Sequence, residues 1–261
     1  MRLAAACLAA SLLATAEGGP IPNEMGVGLF PYEPIYFAFD PGIGDEPLNA
    51  KFQVSLAIRL FDPKPEAKER DGLYVAYSQT SFWDLQSDSK PFYDSSYRPE
   101  GWYHIGIPDQ GKATGLGLQP GFGHESNGKS GVDSRSINHL FVRAVGQWQA
   151  EDMAIFATPR ARWYTEKEDN DDIAYYRGYF DISGGMRIKD GFGLSATGRI
   201  GSGADKGSLQ LEATYPIGAL TRGRMSGFIY LQWFGGWSES LIGYDEKTDQ
   251  PRFLLGYSIV R

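Results

Sequence analysis

The chain has 261 residues, with 32 Asp or Glu against 25 Lys or Arg, and its net charge of -7 argues against nucleic acid as a partner. Past the first segment no apolar run reaches about eighteen residues, which excludes helical membrane spans. A mean hydropathy of -0.34 leaves a β-barrel open, because barrel strands alternate lipid-facing and interior side chains, and 33 Gly, 15 Tyr, 15 Phe and 6 Trp suit its tight turns and aromatic girdles.

In chain order, the opening MRLAAACLAASLLATA combines an early Arg2, an apolar stretch and the small-x-small ending Ala14-Thr15-Ala16 that a signal peptidase accepts. A leader over 1–16 is expected, followed from Glu17 by a single domain over 17–261. Removing the leader would take away Cys7, the only cysteine, and leave an exported protein without thiol or disulfide. A lipid anchor on Cys7 is the competing reading, and the apolar stretch before it is too short for a normal signal core.

Alternation with a period of two then recurs. In Phe52-Gln-Val54-Ser-Leu56-Ala-Ile58-Arg-Leu60 every even position is large and apolar; Leu209-Gln-Leu211-Glu-Ala213-Thr-Tyr215 repeats the pattern, and Phe192 to Thr197 shows it more weakly. Such segments number roughly twelve, near 33–39, 50–60, 70–79, 100–107, 113–122, 135–147, 152–164, 174–188, 190–200, 206–215, 224–236 and 251–260. Lys189-Asp190-Gly191 and Asp205-Lys206-Gly207 read as hairpin turns, and the charged stretches Asp62 to Asp71 and Glu166 to Asp172 as loops. The even count and strand lengths predict a closed antiparallel transmembrane barrel; a soluble β-sandwich would also alternate, but export and aromatic content favour the barrel.

Residues 121–143, GFGHESNGKSGVDSRSINHLFVR, break the alternation in a telling way. His124 and Ser126 share the parity of Leu118 and Phe122, and Asn138 shares that of Leu140 and Val142, so three polar side chains are expected on the lipid side. A polar group facing lipid without a function is costly. A serine hydroxyl needs a nearby imidazole to take its proton, and the imidazole needs a partner on its other nitrogen. His124 and Ser126, two residues apart, lie about 7 Å apart at about 3.4 Å rise per residue, and Asn138 on the next strand can orient the ring without bringing an ionised carboxylate into oil.

The run His124-Glu125-Ser126-Asn127-Gly128-Lys129-Ser130, followed by Ser134-Arg135-Ser136-Ile137-Asn138, resembles the active-site signature of the outer-membrane phospholipase A family, His-x-Ser-Asn-Gly with an Asn twelve residues beyond the Ser. Tyr32 in PYEPIYF, Lys51-Phe52-Gln53, the stretch Tyr77 to Trp83, Pro91-Phe92, Tyr97-Arg98-Pro99 and Glu239 to Ile242 also look familial, in the expected order. The resemblance implies a twelve-stranded antiparallel barrel in the bacterial outer membrane, and a calcium-dependent hydrolase of phospholipid acyl esters, of A1, A2 and lysophospholipase type, active as a homodimer. It implies Ser126 as nucleophile, His124 as general base and later acid, Asn138 as the residue orienting the ring, and the Gly128 N–H as donor to the oxyanion, aided by a water on bound calcium. Calcium would lie at the dimer interface on the Ser134 side chain, the Lys129 carbonyl and Ser89 of the second copy, completed by water. Lys129 stands where the family usually has Arg, which a carbonyl ligand tolerates. Gln79 matches a residue that hydrogen-bonds across the dimer.

Other residues carry plainer readings. His139 has interior parity beside Arg143 and reads as one of a polar interior network rather than a ligand, and His104 belongs to the interior or the interface. Asp169-Asn170-Asp171-Asp172 reads as a solvated loop rather than a cation site, and Trp83, Trp102, Trp163, Trp233 and Trp237 as girdle or packing residues. The final strand ends in Arg261 rather than an aromatic residue, and the Pro108 to Gly111 turn and Gln119-Pro120 look particular to this chain. The rival functions are a catalytically silent barrel with a structural or transport role and a soluble secreted esterase.

Overall fold

Hydrocarbon offers a backbone amide no hydrogen-bond partner, so a sheet in a membrane must close on itself. The computed structural model closes in this way. It describes residues 29–40, 49–61, 71–108, 113–203 and 205–260; the leader expected over 1–16 with Cys7, the Glu17 start, positions 62–70 of the first charged stretch, 109–111 of the Pro108 turn and Arg261 lie outside the described residues.

The strands are β1 (Leu29–Pro31), β2 (Ile35–Asp40), β3 (Asn49–Phe61), β4 (Gly72–Asp84), β5 (Phe92–Gly106), β6 (Ala113–Ser126), β7 (Ser136–Gln149), β8 (Met153–Glu166), β9 (Phe180–Ile188), β10 (Gly193–Ile200), β11 (Gly207–Pro216), β12 (Phe228–Gly236) and β13 (Arg252–Val260). From β2 onward each pairs antiparallel with its chain neighbour, and β13 returns to β2, with Tyr257 opposite Phe37. The short β1 lies on β3 beyond the end of β2, Phe30 facing Ala57 where Tyr36 faces Gln53, so the thirteen segments form a ring of twelve.

The expected parity holds. On β3 the buried Lys51, Gln53, Ser55 and Ala57 point inward, while Phe52, Val54, Leu56, Ile58 and Leu60 face out. Leu209, Leu211 and Tyr215 on β11, and Phe253, Leu255, Tyr257 and Ile259 on β13, extend the apolar outer band. Inside, charges meet charges, as burial demands. Arg160 Nη1 lies 2.7 Å and Arg143 Nη1 3.9 Å from the Glu100 carboxylate, to which Tyr32 Oη donates at 2.9 Å. Asp181 takes Arg160 and Arg162, while Glu239 takes Lys51 at 3.3 Å and Arg252 at 3.1 Å. A cavity of about 280 Å³ remains among these side chains. Stacked Tyr32, Trp102 and Tyr74 fill one end of the lumen, and Ile137, Ile173, Leu241 and Tyr244 cluster toward the other.

Three expected segments need correction. The strand expected over 174–188 is a short helix, α1 (Ile173–Arg177), followed by β9 from Phe180. Ile173 and Ala174 are buried by folding inward over the lumen, and Gly178 ends the helix at φ +64 with its N–H on the Ala174 carbonyl. The segments expected at 70–79 and 100–107 belong to longer strands, because Ser81 near the end of β4 and Ser95 near the start of β5 interrupt the greasy outer face that signals a strand.

Arginine in place of Leu211, on the outer face of β11, should destabilise the barrel by roughly 2–4 kcal/mol when folded into phospholipid vesicles. Ser195→Arg, placed inside beside Glu212, should cost far less; urea titration of the two variants measures the difference.

Candidate active site

The outward parity of β6 and β7 brings the polar trio together. On β6, Gln119 and Glu125 are buried inward while Leu118 and Phe122 are exposed, and half-buried His124 and Ser126 keep the outward parity to the end of the strand. On β7, Ile137, His139, Phe141 and Arg143 point inward, which leaves Asn138 outward with Leu140 and Val142. Register sets His124 directly opposite Asn138. The ring Nδ1 and Asn138 Oδ1 are 2.8 Å apart. An amide oxygen only accepts, so this contact calls for the proton on Nδ1, the tautomer that leaves Nε2 of a neutral ring as the acceptor. Ser126 lies on the same face, two residues farther along; among the described residues no hydrogen bond joins its hydroxyl to the ring, a contact that often tightens only with substrate.

The next loop is built around Asn127. This residue is buried, its Nδ2 donates to the Asp133 carbonyl at 2.8 Å, and its Oδ1 accepts the N–H groups of Lys129 and Arg135 at 3.2 and 3.0 Å. Gly128 sits at φ +67, and a Cβ there would come within 2.9 Å of the Tyr97 ring, so glycine is required on both counts. Its N–H has no partner among the described residues. A cleft of about 360 Å³ lined by Phe52, Gln79, Phe92, Tyr97, Asn127 and Lys129 opens beside Ser126, which pairs with Tyr97 across β5 and β6.

Asp169, Asp171 and Asp172 are exposed, as expected of a solvated loop, but the stretch is also tied to the fold: Ser134 Oγ donates to Asp169 Oδ2 at 2.7 Å. Asn170 is buried with its Oδ1 on the Ser136 N–H at 3.1 Å, and Asp172 Oδ1 accepts the Tyr244 hydroxyl at 2.6 Å. Among the described residues no group of three or more His, Cys, Asp or Glu could hold a metal. The Ser134 hydroxyl and the neighbouring Asp169 carboxylate are hard oxygen donors of the kind calcium takes, and two residues are far short of a full shell. Ser89 is exposed at φ +64 in the turn between β4 and β5. Gln79 faces out and is served within its own strand, accepting from Tyr77 Oη at 3.0 Å and donating to Ser81 Oγ at 3.1 Å.

His104 is inside, its Nδ1 2.9 Å from Gln119 Nε2. His139 is also inside, but instead of joining a polar network its ring packs on Gly123, both nitrogens without a partner among the described residues. Glu125, between His124 and Ser126, has the inward parity of the strand and no motif to mark it. It points inward, accepting from Ser96 Oγ at 2.6 Å and pairing with Arg177 of α1 at 2.9 Å, and so anchors the strand end from within.

The chain matches the family model described as phospholipase A1 over residues 37–258. It is 30% identical to the phospholipase A1 of Klebsiella pneumoniae over 83% of this chain and 78% of that protein. The chain belongs to the phospholipase A1 family. Identity to the Escherichia coli phospholipase A1 is 32% over 76% of this chain, which spans 65% of the length of that relative. Among solved structures, the outer membrane phospholipase A of Escherichia coli superposes with a TM-score of 0.73 at 25% identity, covering 95% of this chain and 96% of that one. The Salmonella typhi outer membrane phospholipase, a dimer with bound calcium, shares the fold with a TM-score of 0.74 at 23% identity, covering 94% of this chain and 97% of that one. The protein is thus a family barrel of the bacterial outer membrane. Its candidate site lies at the end that carries the connections 127–135, 167–179 and 237–251.

Asn127→Ala should loosen the 127–135 loop by about 1–3 kcal/mol while leaving the barrel intact. Amide exchange at Lys129 and Arg135 should quicken with little change in the global unfolding midpoint.

Proposed function

We propose that this chain is a calcium-dependent phospholipase that hydrolyses acyl esters of glycerophospholipids at the outer rim of the barrel. The observation that supports it most is the His124–Asn138 hydrogen bond of 2.8 Å on the lipid side, with Ser126 on the same face. Phospholipid diffusing in the membrane meets these groups laterally, with no need to enter the lumen.

The Ser126 hydroxyl attacks the ester carbonyl as its proton passes to His124 Nε2, and Asn138 Oδ1 holds the Nδ1–H of the imidazolium so formed. The Gly128 N–H donates to the tetrahedral oxyanion. Collapse breaks the ester C–O bond, and His124 returns the proton to the departing lysophospholipid alkoxide. Water, losing a proton to His124, then attacks the acyl-serine ester; the bond from the acyl carbon to Ser126 Oγ breaks, His124 returns the proton to Ser126, and the fatty acid leaves. Calcium held by the Ser134 hydroxyl, the Lys129 carbonyl and Ser89 of a second copy would supply positive charge beside the oxyanion. The oxygen donors paired at Ser134 and Asp169 and the similar barrel crystallised as a calcium-bound dimer support a site completed by dimerisation.

Fatty-acid release from phospholipid micelles by the purified full chain tests this reading. Ser126→Ala should lower kcat by about three orders of magnitude or more, and a calcium chelator should silence the wild type. Activity that survives the alanine removes the mechanism. A 1:1 mixture of Ser89→Ala and Ser126→Ala chains should exceed the average of the two parents, since the second variant lends its Ser89 to the intact nucleophile of the first. A mixture equal to the average rules out a shared site.

A further inference from the structure

A side-chain amide has two ends of nearly equal shape and opposite hydrogen-bonding character. Asn138 can orient His124 only with Oδ1 toward the ring; turned over, it would offer Nδ2 and favour the other tautomer, with the proton on the nitrogen that must receive one from Ser126. Something has to fix the choice.

The end of β8 supplies it. Arg162 and Tyr164 point inward on this strand and Trp163 is exposed, so simple alternation would send Glu166 inward too. The register forbids this: one step along β7, from His139 to Asn138, is matched by two steps along β8, from Tyr164 to Glu166. Thr165 is the extra residue of a β-bulge, and the bulge turns Glu166 to the outer face, opposite Asn138. Glu166 Oε2 there accepts the hydrogen bond of Asn138 Nδ2 at 2.8 Å. An ionised carboxylate only accepts, so it draws the NH2 end toward itself and leaves Oδ1 for the imidazole. Glu166 is half-buried at the strand end, where one of its oxygens also lies 3.4 Å from the Glu168 N–H. The chain thus keeps the neutral amide beside the ring and the charge one residue back, at the rim.

We propose that Glu166 is a positioning residue of the site, fixing which way the Asn138 amide faces and through it the tautomer of His124. The proposal rests on the hydrolytic reading above. Its test is steady-state hydrolysis by the full chain in calcium-containing phospholipid micelles, with folding checked by heat-modifiable gel migration. Glu166→Gln keeps an acceptor and should retain kcat within about 3-fold. Glu166→Ala should lower kcat about 10-fold with KM unchanged, and Glu166→Lys, which offers only donors and pulls Oδ1 away from the ring, should lower it about 100-fold. On an Asn138→Ala background all three should equal the parent, because there is no amide left to orient. The inference is overturned by wild-type kcat in Glu166→Lys, or by the same losses on the Asn138→Ala background. Should Glu166→Ala fail to fold, the contrast between Gln and Lys decides. An active Ser126→Ala would sink the hydrolytic mechanism itself, an outcome separate from either of these.

Discussion

A membrane interior without water dictates most of this molecule. Each strand must find both neighbours, so the sheet closes with β13 on β2. Once it is closed, a side chain has only two destinations, oil or lumen, and chain position decides between them. An imidazole, a hydroxyl and an amide on the oil side are therefore consequences of register, and moving β6 by one residue would bury all the polar groups it now presents and expose Glu125 and Gln119 in their place.

The lumen is what holds that register against the outward cost. Alternate residues of the same strands anchor it from within: Glu125 on Ser96 and Arg177, and Arg143 on Gln119 and Tyr32. Arg177 comes from α1 and Leu241 from the connection between β12 and β13, whose N–H bonds with Ile242 to Asp94 at 2.8 and 2.9 Å. The loops at the site end are thus tied into the interior, and the rim that carries His124 and Ser126 rests on a packed plug.

Regular alternation made the strands and the outward trio readable, since Leu118, Phe122, Leu140 and Val142 announce the parity that His124, Ser126 and Asn138 continue. What could not be read lies where alternation fails. Ile173 to Arg177 look strand-like but coil inward, and Glu166 reads as the start of a charged loop because the extra Thr165 reverses its face. Serines on the outer side of β4 and β5 hide the ends of both strands. Asp169 looked like part of a solvated acidic run, since only the folded connection brings it to Ser134.

The charged interior also limits how the barrel can change. Glu100, Asp181 and Glu239 are each held by more than one cation, and Asp181 and Glu239 line the cavity left in the lumen. Withdrawing one partner would strand a buried charge, at a cost of several kcal/mol. A charge inside can therefore be exchanged only together with its partner, whereas one oily residue on the outside can stand in for another.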